Sequence, residues 1–189
     1  MSDSPFVTLR SRVIWRSPWY NLRQDDIRLP DGSESVYTVV ERQQAVFIVP
    51  VLTDGRLALI RNYRYTLGGW LWEVPAGSLQ AGERPIEAAR RELAEEVGGR
   101  TEHLELVASF YTMPGICNEL SHVFLAYDVV LSMPQREPSE VMECHIFETG
   151  IVAKMVMSGE LNDGPSALAL LLCLPRLGAS PSSYSMGRK

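Results

Sequence analysis

The sequence predicts an α/β protein, in which a mixed β-sheet is sandwiched by helices and a small antiparallel β extension lies at the N-terminus. Two observations carry this prediction. Apolar patterns run in the order strands, one helix, strands, then helices, and a 3.6-residue period is clearest over residues 84–97. A length of 189 residues allows one domain with a small appendage. We expect an N-terminal extension over 1–42, a main domain over 43–178 and a flexible tail over 179–189.

The first forty residues have the pattern of a small antiparallel extension. Trp15, Trp19, Leu22, Ile27 and Leu29 are spaced among charged residues. Such an element has too little apolar surface to be stable alone, so it must pack on another surface.

Short strands follow, since alternating polarity and β-branched residues recur between turn signals. Asp54 and Gly55 are one such signal, typical of a hairpin turn. The predicted strands cover residues 36–51 with a break near 41–44, 56–64, 69–74, 103–111, 121–131 and 142–147.

The strongest helix signal lies at residues 84–97. Pro85 suits the first turn, and Gly98 with Gly99 offers a left-handed stop. An apolar stripe follows the helical period, formed by Ile86, Ala89, Leu93 and Val97. Two further helices are predicted at 150–158 and 166–174.

Composition excludes several classes of protein. The net charge of −5 argues against a general nucleic-acid binder. The longest apolar run, Ala167 to Leu174, is much shorter than the roughly 20 residues that a membrane span needs. The N-terminus lacks a secretory pattern, and Cys117, Cys144 and Cys173 are odd in number and widely spaced. We therefore expect a cytoplasmic protein with reduced thiols and no membrane partner.

Three carboxylates share one flank of the main helix. At 100° per residue, Glu92, Glu95 and Glu96 point in neighbouring directions beside the apolar stripe. Like charges this close repel one another. They are either solvated separately on an acidic face or arranged around a hard cation, for which carboxylate oxygens are natural ligands.

The wider spacing decides between these two interpretations. Gly77 is followed after five residues by Glu83, and after seven more by the run from Arg91 to Gly98, RELAEEVG. This pattern resembles the Nudix box, GX5EX7REUXEEXGU, where U is aliphatic. One position departs from it: Gly99 stands where the pattern has an aliphatic residue, which affects the expected packing after the helix more than the chemistry.

The resemblance implies an α/β/α Nudix sandwich that hydrolyses a nucleoside diphosphate linked to another group. It also implies magnesium, with manganese as the alternative, and two or more ions in each site. Glu92 and Glu96 would be the principal ligands, Glu95 a further ligand or a partner of one, and the carbonyl of Ala76 an additional oxygen ligand. A pyrophosphate is negative, so cations must bridge it to an acidic site.

Four other positions of the box have structural roles by the same resemblance. Arg91 would orient a carboxylate, Gly77 would let the backbone approach the acidic cluster, and Glu83 would tie the loop to the helix. Gly98 ends the helix.

Outside the box, the chain resembles the branch of ADP-ribose and nucleotide-sugar pyrophosphatases as far as about Leu174. The matching segments are Arg61–Arg64 (RNYR), 72–77 (WEVPAG) and Pro114 in MPG. In this branch an arginine at the position of Arg64 contacts phosphate. We also assign Glu73 and Pro114 to the substrate-binding set.

The N-terminal extension is similar to the branch's dimerising segment. The resemblance implies that Trp19 and Tyr37 sandwich the base and that Arg42 reaches phosphate, also from the partner subunit. Aromatic faces suit flat bases. A homodimer is therefore expected.

The water-activating base is expected outside the box, because metal-bound carboxylates accept protons poorly. This branch commonly supplies a glutamate from a loop before the last strand, where residues 136–143 read REPSEVME. Glu140 is the first choice, then Glu143 and Glu137. Glu119 is a further candidate. The histidines, at 103, 122 and 145, lack metal-ligand spacing.

These observations predict a homodimeric hydrolase that cleaves the pyrophosphate bond of ADP-ribose or a related nucleotide sugar. The products would be a nucleoside monophosphate and a sugar phosphate. GDP-mannose, UDP-glucose and dinucleoside polyphosphates are alternative substrates. A non-catalytic ADP-ribose sensor is a competing class, against which the intact carboxylates of the box argue. A purely structural module would leave those carboxylates unexplained.

Overall fold

A computed structural model describes residues 4–136 and 140–178. The tail predicted over 179–189 therefore lies outside the described residues. Helix α1 spans Pro85–Val97, α2 Thr149–Ser158 and α3 Gly164–Cys173, followed by a 3-10 turn over Leu174–Leu177. The strands are β1 Val7–Arg16, β2 Asn21–Arg28, β3 Glu34–Glu41, β4 Ala45–Leu52, β5 Leu57–Arg64, β6 Gly69–Glu73, β7 Ala76–Ser78, β8 Gly99–Arg100, β9 His103–Tyr111, β10 Leu120–Leu131 and β11 Met142–Phe147.

The chain divides into two compact units. The first holds the chain up to Gln44 together with Tyr111–Leu120, and the second holds Ala45–Phe110 and the chain from Ser121 onward. The expected extension ended at residue 42 and did not include the second segment. Backbone hydrogen bonds join this second segment to β3: Val40 N donates to Ile116 O at 2.8 Å, and Asn118 N donates to Val40 O at 3.3 Å.

The first unit contains a three-stranded antiparallel sheet in the order β1-β2-β3. Strand β2 lies in the middle, with Asp25 paired to Ser11 on one side and to Tyr37 on the other. The antiparallel β extension expected from the sequence is thus confirmed.

The second unit is built on a mixed sheet with the central order β11-β5-β4-β10-β8. Strands β4 and β10 run parallel, and β4 pairs antiparallel with β5 and β7. Residues of β4 alternate between two apolar clusters, as a period of two requires. Val46 and Ile48 pack with α1, whereas Val49 and Val51 pack with α2 and α3. Helices therefore cover both faces, which confirms the α/β/α sandwich.

Helix α1 begins and ends at the signals that the sequence provides. Pro85 is its first residue, Arg84 and Glu87 form a reciprocal cap, and Gly98 adopts φ 68° at the C-terminus. Gly99 is buried, and a Cβ there would lie 2.9 Å from Leu93 Cδ1. Leu93 therefore occupies the space that an aliphatic residue at position 99 would need.

Two short strands were not predicted. Strand β7 contains Gly77 and begins just after the predicted strand over 69–74, and β8 begins at Gly99, which was predicted to belong to the helix stop. In both, pairing with a distant strand decides the conformation. Within the described residues, the structure contains no helix that is both long and apolar enough to cross a membrane.

Candidate active site

Glu92 and Glu96 lie one turn apart on α1 and point away from solvent. Their residues are 7% and 4% exposed. Glu96 Oε2 accepts a hydrogen bond of 2.9 Å from the backbone N–H of Ala76, the first residue of β7. Helix α1 and β7 thus place two carboxylates and a backbone segment together, as the resemblance to the Nudix box implies.

Gly77 is required by this close approach. A Cβ at residue 77 would lie 1.9 Å from Glu92 Oε1 and 2.1 Å from its Cδ. No side chain fits there while Glu92 keeps its position. The glycine therefore lets the strand pass directly beside the carboxylate.

Burial changes the acidity of both side chains. It raises the pKa of Glu92, and it raises the pKa of Glu96 well above the ordinary value. The negative charge of Glu140 acts in the same direction on both groups, and Glu73 adds to the effect on Glu96. The second unit therefore holds buried acidic groups that a bound positive charge would stabilise.

Arg91 connects the acidic residues of the loop and the helix. Its Nε and Nη2 donate to the two oxygens of Glu83 at 3.0 Å each. Its Nη1 donates to Glu92 at 2.7 Å and to Glu95 at 3.0 Å. The side chain also donates to the carbonyl of Ser78 at 3.0 Å. Arg91 thus holds the loop on the helix and fixes the orientation of Glu92.

Arg64 is held by a buried carboxylate. Its Nε donates to Glu73 Oε1 at 2.7 Å and its Nη2 donates to Glu73 Oε2 at 2.6 Å. Glu73 is 2% exposed and also accepts from Asn62 Nδ2 at 3.2 Å, whereas 48% of the Arg64 side chain is exposed. Glu73 therefore lies buried behind the exposed guanidinium of Arg64 and holds it in place.

The candidate bases are placed differently. Glu140 lies before β11, and its charge acts on the two buried glutamates of α1. Glu143 shares a strand face with Phe147, on the side that packs with α2 and α3, and its Oε2 lies 3.1 Å from His145 Nε2. The charge of Glu140 thus acts on the α1 carboxylates, whereas Glu143 lies on the face of β11 opposite to the residues that pack with α1. Glu137 lies outside the described residues.

The first unit contains four of the expected substrate contacts. A cavity of about 300 Å³ is lined by Tyr37 and Pro114, among other residues, and Tyr37 Oη donates to the carbonyl of Gly115 at 2.6 Å. Arg42 Nη1 lies 2.9 Å from Glu119 Oε2, and Glu119 is 4% exposed.

Trp19 lies between β1 and β2 and is 74% exposed. The structure therefore brings Tyr37 and Pro114 to one cavity of the first unit, and Trp19 is open to solvent.

Two contributors were missed by sequence reasoning. Asn62 supports Glu73, and Arg136 donates to the carbonyls of Glu96 and Met142. Asn62 lies within the RNYR segment that resembles the pyrophosphatase branch, so its position two residues before Arg64 could have indicated a supporting role. Arg136 lies in a polar stretch without periodicity, where no spacing signals its role.

The donor set fits a divalent cation. Hard cations bind carboxylate and carbonyl oxygens, and the Glu92 and Glu96 carboxylates lie beside the backbone of Ala76 and Gly77. Within residues 4–136 and 140–178, no three His, Cys, Asp or Glu side chains are already arranged to hold a metal ion. Arg91 donates to Oε1 of Glu92 and the Ala76 N–H donates to Oε2 of Glu96, and the second oxygen of each carboxylate can serve as a ligand.

Comparison with known proteins agrees with this arrangement. The NUDIX domain matches residues 41–158, and the nucleoside diphosphate sugar hydrolase N-terminal domain matches residues 7–40. An ADP-ribose pyrophosphatase of Bacillus subtilis is 32% identical over 86% of this chain and 89% of its own. One from Mycobacterium tuberculosis is 34% identical over 85% of this chain and 79% of its own.

A solved structure shows the same fold. The crystal structure of an ADP compounds hydrolase superposes with a TM-score of 0.81, covers 94% of this chain and 97% of its own, and is 24% identical. Fold and sequence together define a hydrolase with an acidic centre. The chain belongs to the Nudix family. Nudix hydrolases depend on divalent cations.

Proposed function

We propose that this protein hydrolyses the pyrophosphate bond of ADP-ribose or a related nucleoside diphosphate sugar. The observation that carries the proposal is the buried pair Glu92 and Glu96 in the same unit as the Glu73-held guanidinium of Arg64. The names of the two bacterial relatives support ADP-ribose as the first substrate to test. The products are a nucleoside monophosphate and a sugar phosphate.

Glu92 and Glu96 hold the divalent cation in this proposal, with Glu95 and the carbonyl of Ala76 as additional ligands. Magnesium is the expected ion, manganese the alternative, and two or more ions are expected in each site. When bound, such cations neutralise the diphosphate and stabilise the charge that develops on the leaving phosphate.

Glu140 is the proposed general base. It accepts a proton from the water whose oxygen forms the new bond to one phosphorus, while the bridging oxygen leaves with the other phosphate. Its electrostatic effect on Glu92 and Glu96 supports this choice over Glu143, which faces the other side of the sheet. Glu119 is less suited, because Arg42 already neutralises it.

Substrate binding is assigned to exposed cationic and aromatic side chains. Arg64 and Arg42 neutralise phosphate oxygens, and each forms an ion pair with a buried glutamate. Two hydrogen bonds to Glu73 fix the orientation of the Arg64 guanidinium. Tyr37 and Trp19 stack on the base, and Pro114 shapes the cavity that Tyr37 lines.

A homodimer is proposed because β1 exposes many apolar side chains to solvent. Exposed apolar area of this kind typically marks an interaction surface. Sedimentation at micromolar concentration tests this proposal, and a monomer would contradict any contribution of Arg42 to a partner's site. The exposed apolar residues of β1 are Val7, Leu9, Val13, Ile14 and Trp15.

A cytoplasmic location stays a prediction.

The test is product analysis with magnesium and a panel of ADP-ribose, GDP-mannose, UDP-glucose and diadenosine polyphosphates. We expect selective release of AMP and ribose 5-phosphate from ADP-ribose. Glu96→Gln should lower turnover by at least about 10³-fold, since it removes a charged ligand. The matched control is Glu160→Gln, an exposed glutamate beyond α2.

Each outcome has a distinct meaning. Preference for another nucleotide sugar would keep the mechanism and change the substrate. Full activity of Glu96→Gln would refute the ligand assignment. Tight binding of ADP-ribose without turnover of any compound would indicate a sensor and refute the proposed hydrolysis.

A further inference from the structure

Arg136 makes two hydrogen bonds from one guanidinium to two separate parts of the backbone. Its Nε donates to the carbonyl of Glu96 at 2.9 Å, and its Nη1 donates to the carbonyl of Met142 at 2.6 Å. The first carbonyl lies in the last turn of α1, and the second begins β11. One side chain therefore connects the helix that carries Glu96 to the strand that follows Glu140.

The C-terminus of α1 needs such a partner. The last carbonyls of a helix have no intrahelical donor, and the last turn of α1 contains no basic residue. Gln135 N donates to the carbonyl of Glu95 at 2.9 Å, so residues 135 and 136 satisfy two of these carbonyls in succession. Arg136 also brings a positive charge to the negative end of the helix dipole.

The other end of the connection is fixed in the sheet. Tyr63 N donates to the carbonyl of Val141 at 3.0 Å, and Met142 pairs with Asn62 of β5. The residue immediately after Glu140 is thus already held by β5. Because Arg136 binds the carbonyl of Met142, it ties this part of β11 to the end of α1.

We propose that Arg136 is a positioning residue, which sets the placement of Glu140 relative to the carboxylates of α1. The inference rests on the proposed function, in which Glu140 accepts the proton of the attacking water. A displacement of about 1 Å between reacting groups can lower a rate by roughly 10²-fold. Loss of Arg136 therefore lowers kcat without removing any group that touches the substrate.

The experiment compares Arg136→Gln and Arg136→Lys with the wild type, using ADP-ribose and magnesium. We expect Arg136→Gln to lower kcat by about 10- to 100-fold and to leave KM unchanged. Arg136→Lys retains the charge and should lose less. Arg56→Gln is the matched control, because Arg56 is exposed and pairs with Asp54 beside its own turn. A rise in KM at constant kcat in Arg136→Gln would overturn the proposal.

A double variant separates positioning of Glu140 from a general structural effect. If Arg136 acts through Glu140, adding Arg136→Gln to Glu140→Gln lowers kcat no further. Independent, multiplicative losses would overturn the proposal. Full activity of Glu140→Gln would refute both the base and the role of Arg136. Absence of turnover by the wild type on every substrate would instead refute the proposed function.

Amide hydrogen exchange gives a readout that needs no turnover. The amides of residues 96–98 and 141–143 should exchange faster in Arg136→Gln than in the wild type, and not in Arg56→Gln. Unchanged exchange in both segments would show that Arg136 does not connect them, and would overturn the proposal whatever the substrate.

Discussion

The loop before α1 and the helix itself contain glutamates whose pKa values are shifted in opposite directions. At the N-terminal end, the guanidinium of Arg91 lowers the pKa of Glu83 through hydrogen bonds to both its oxygens. Further along α1, burial raises the pKa of Glu92 and Glu96. All three residues are glutamates, but Arg91 neutralises Glu83 within the fold. The positive charge near Glu92 and Glu96 does not offset the effect of their burial.

This difference separates acids that stabilise the fold from acids that are available for chemistry. A carboxylate that already has a bidentate arginine gains little from a cation. A buried carboxylate with too few partners is costly to the folded protein, and that cost is recovered when a cation binds. The same short motif therefore contains both a carboxylate that holds the loop on the helix and the two carboxylates proposed to bind the cation.

Among the substitutions that test this difference between Glu83 and the buried glutamates, Gly77→Ala should have the largest effect. The added Cβ would lie 1.9 Å from Glu92 Oε1, so the carboxylate must turn away. We expect activity to fall by about 10²-fold or more. Stability should change little, because the atom displaced is the end of a flexible side chain. Steady-state kinetics and thermal unfolding of the same sample measure both.

Gly164→Ala is the control for that substitution. A Cβ at Gly164 would meet no atom within 4 Å, and its backbone is helical. Its activity should match the wild type. Equal activity of Gly77→Ala and the wild type would show that the position of Glu92 is not critical.

A smaller effect is expected from Glu83→Gln, which weakens the hydrogen bonds between Glu83 and Arg91 without substituting Glu92 or Glu96. Loss of charged hydrogen bonds to Arg91 should lower the free energy of unfolding by about 1 to 3 kcal/mol. Glu87→Gln removes an exposed ion pair with Arg84, which solvent screens, and should lower the free energy of unfolding by less than Glu83→Gln does. Urea denaturation of both variants measures the difference, and equal costs would contradict the assignment.

The smallest effect is the pH dependence of the Glu83 contribution. The pKa of Glu83 is lower in the folded state than in the unfolded chain, so the folded state binds fewer protons. The stability difference between wild type and Glu83→Gln should be fully present above the unfolded pKa, and should be lost as the pH falls through the folded pKa. A difference that grows on acidification would contradict this sign.

Local signals explain why much of the fold was predictable. Pro85 and Gly98 set the limits of α1 within one residue, and the period of two found the main strands. Strands β7 and β8 were missed because three and two residues carry no periodic pattern. Their conformation depends on β4 and β10, which are distant in sequence.

The candidate site likewise contains residues that the sequence could predict and residues that it could not. The box residues could be predicted, since helical geometry brings Glu92 and Glu96 to one flank and the resemblance to the Nudix box implies that Gly77 lies beside them. Partners that join separate segments could not. Glu73 was assigned to substrate contact, but its burial under Arg64 becomes visible only once β5 and β6 pair. Arg136 acts between a helix end and a strand that only the tertiary structure brings together.

The parallel pairing of β4 with β10 has a consequence for how the molecule reaches its native state. The chain between these neighbouring strands contains β5 to β9 and all of α1, so their contact closes a long loop. Such closure is entropically expensive and slows folding. The carboxylate centre lies inside that loop, so catalytic competence should return late during refolding, together with completion of the central sheet.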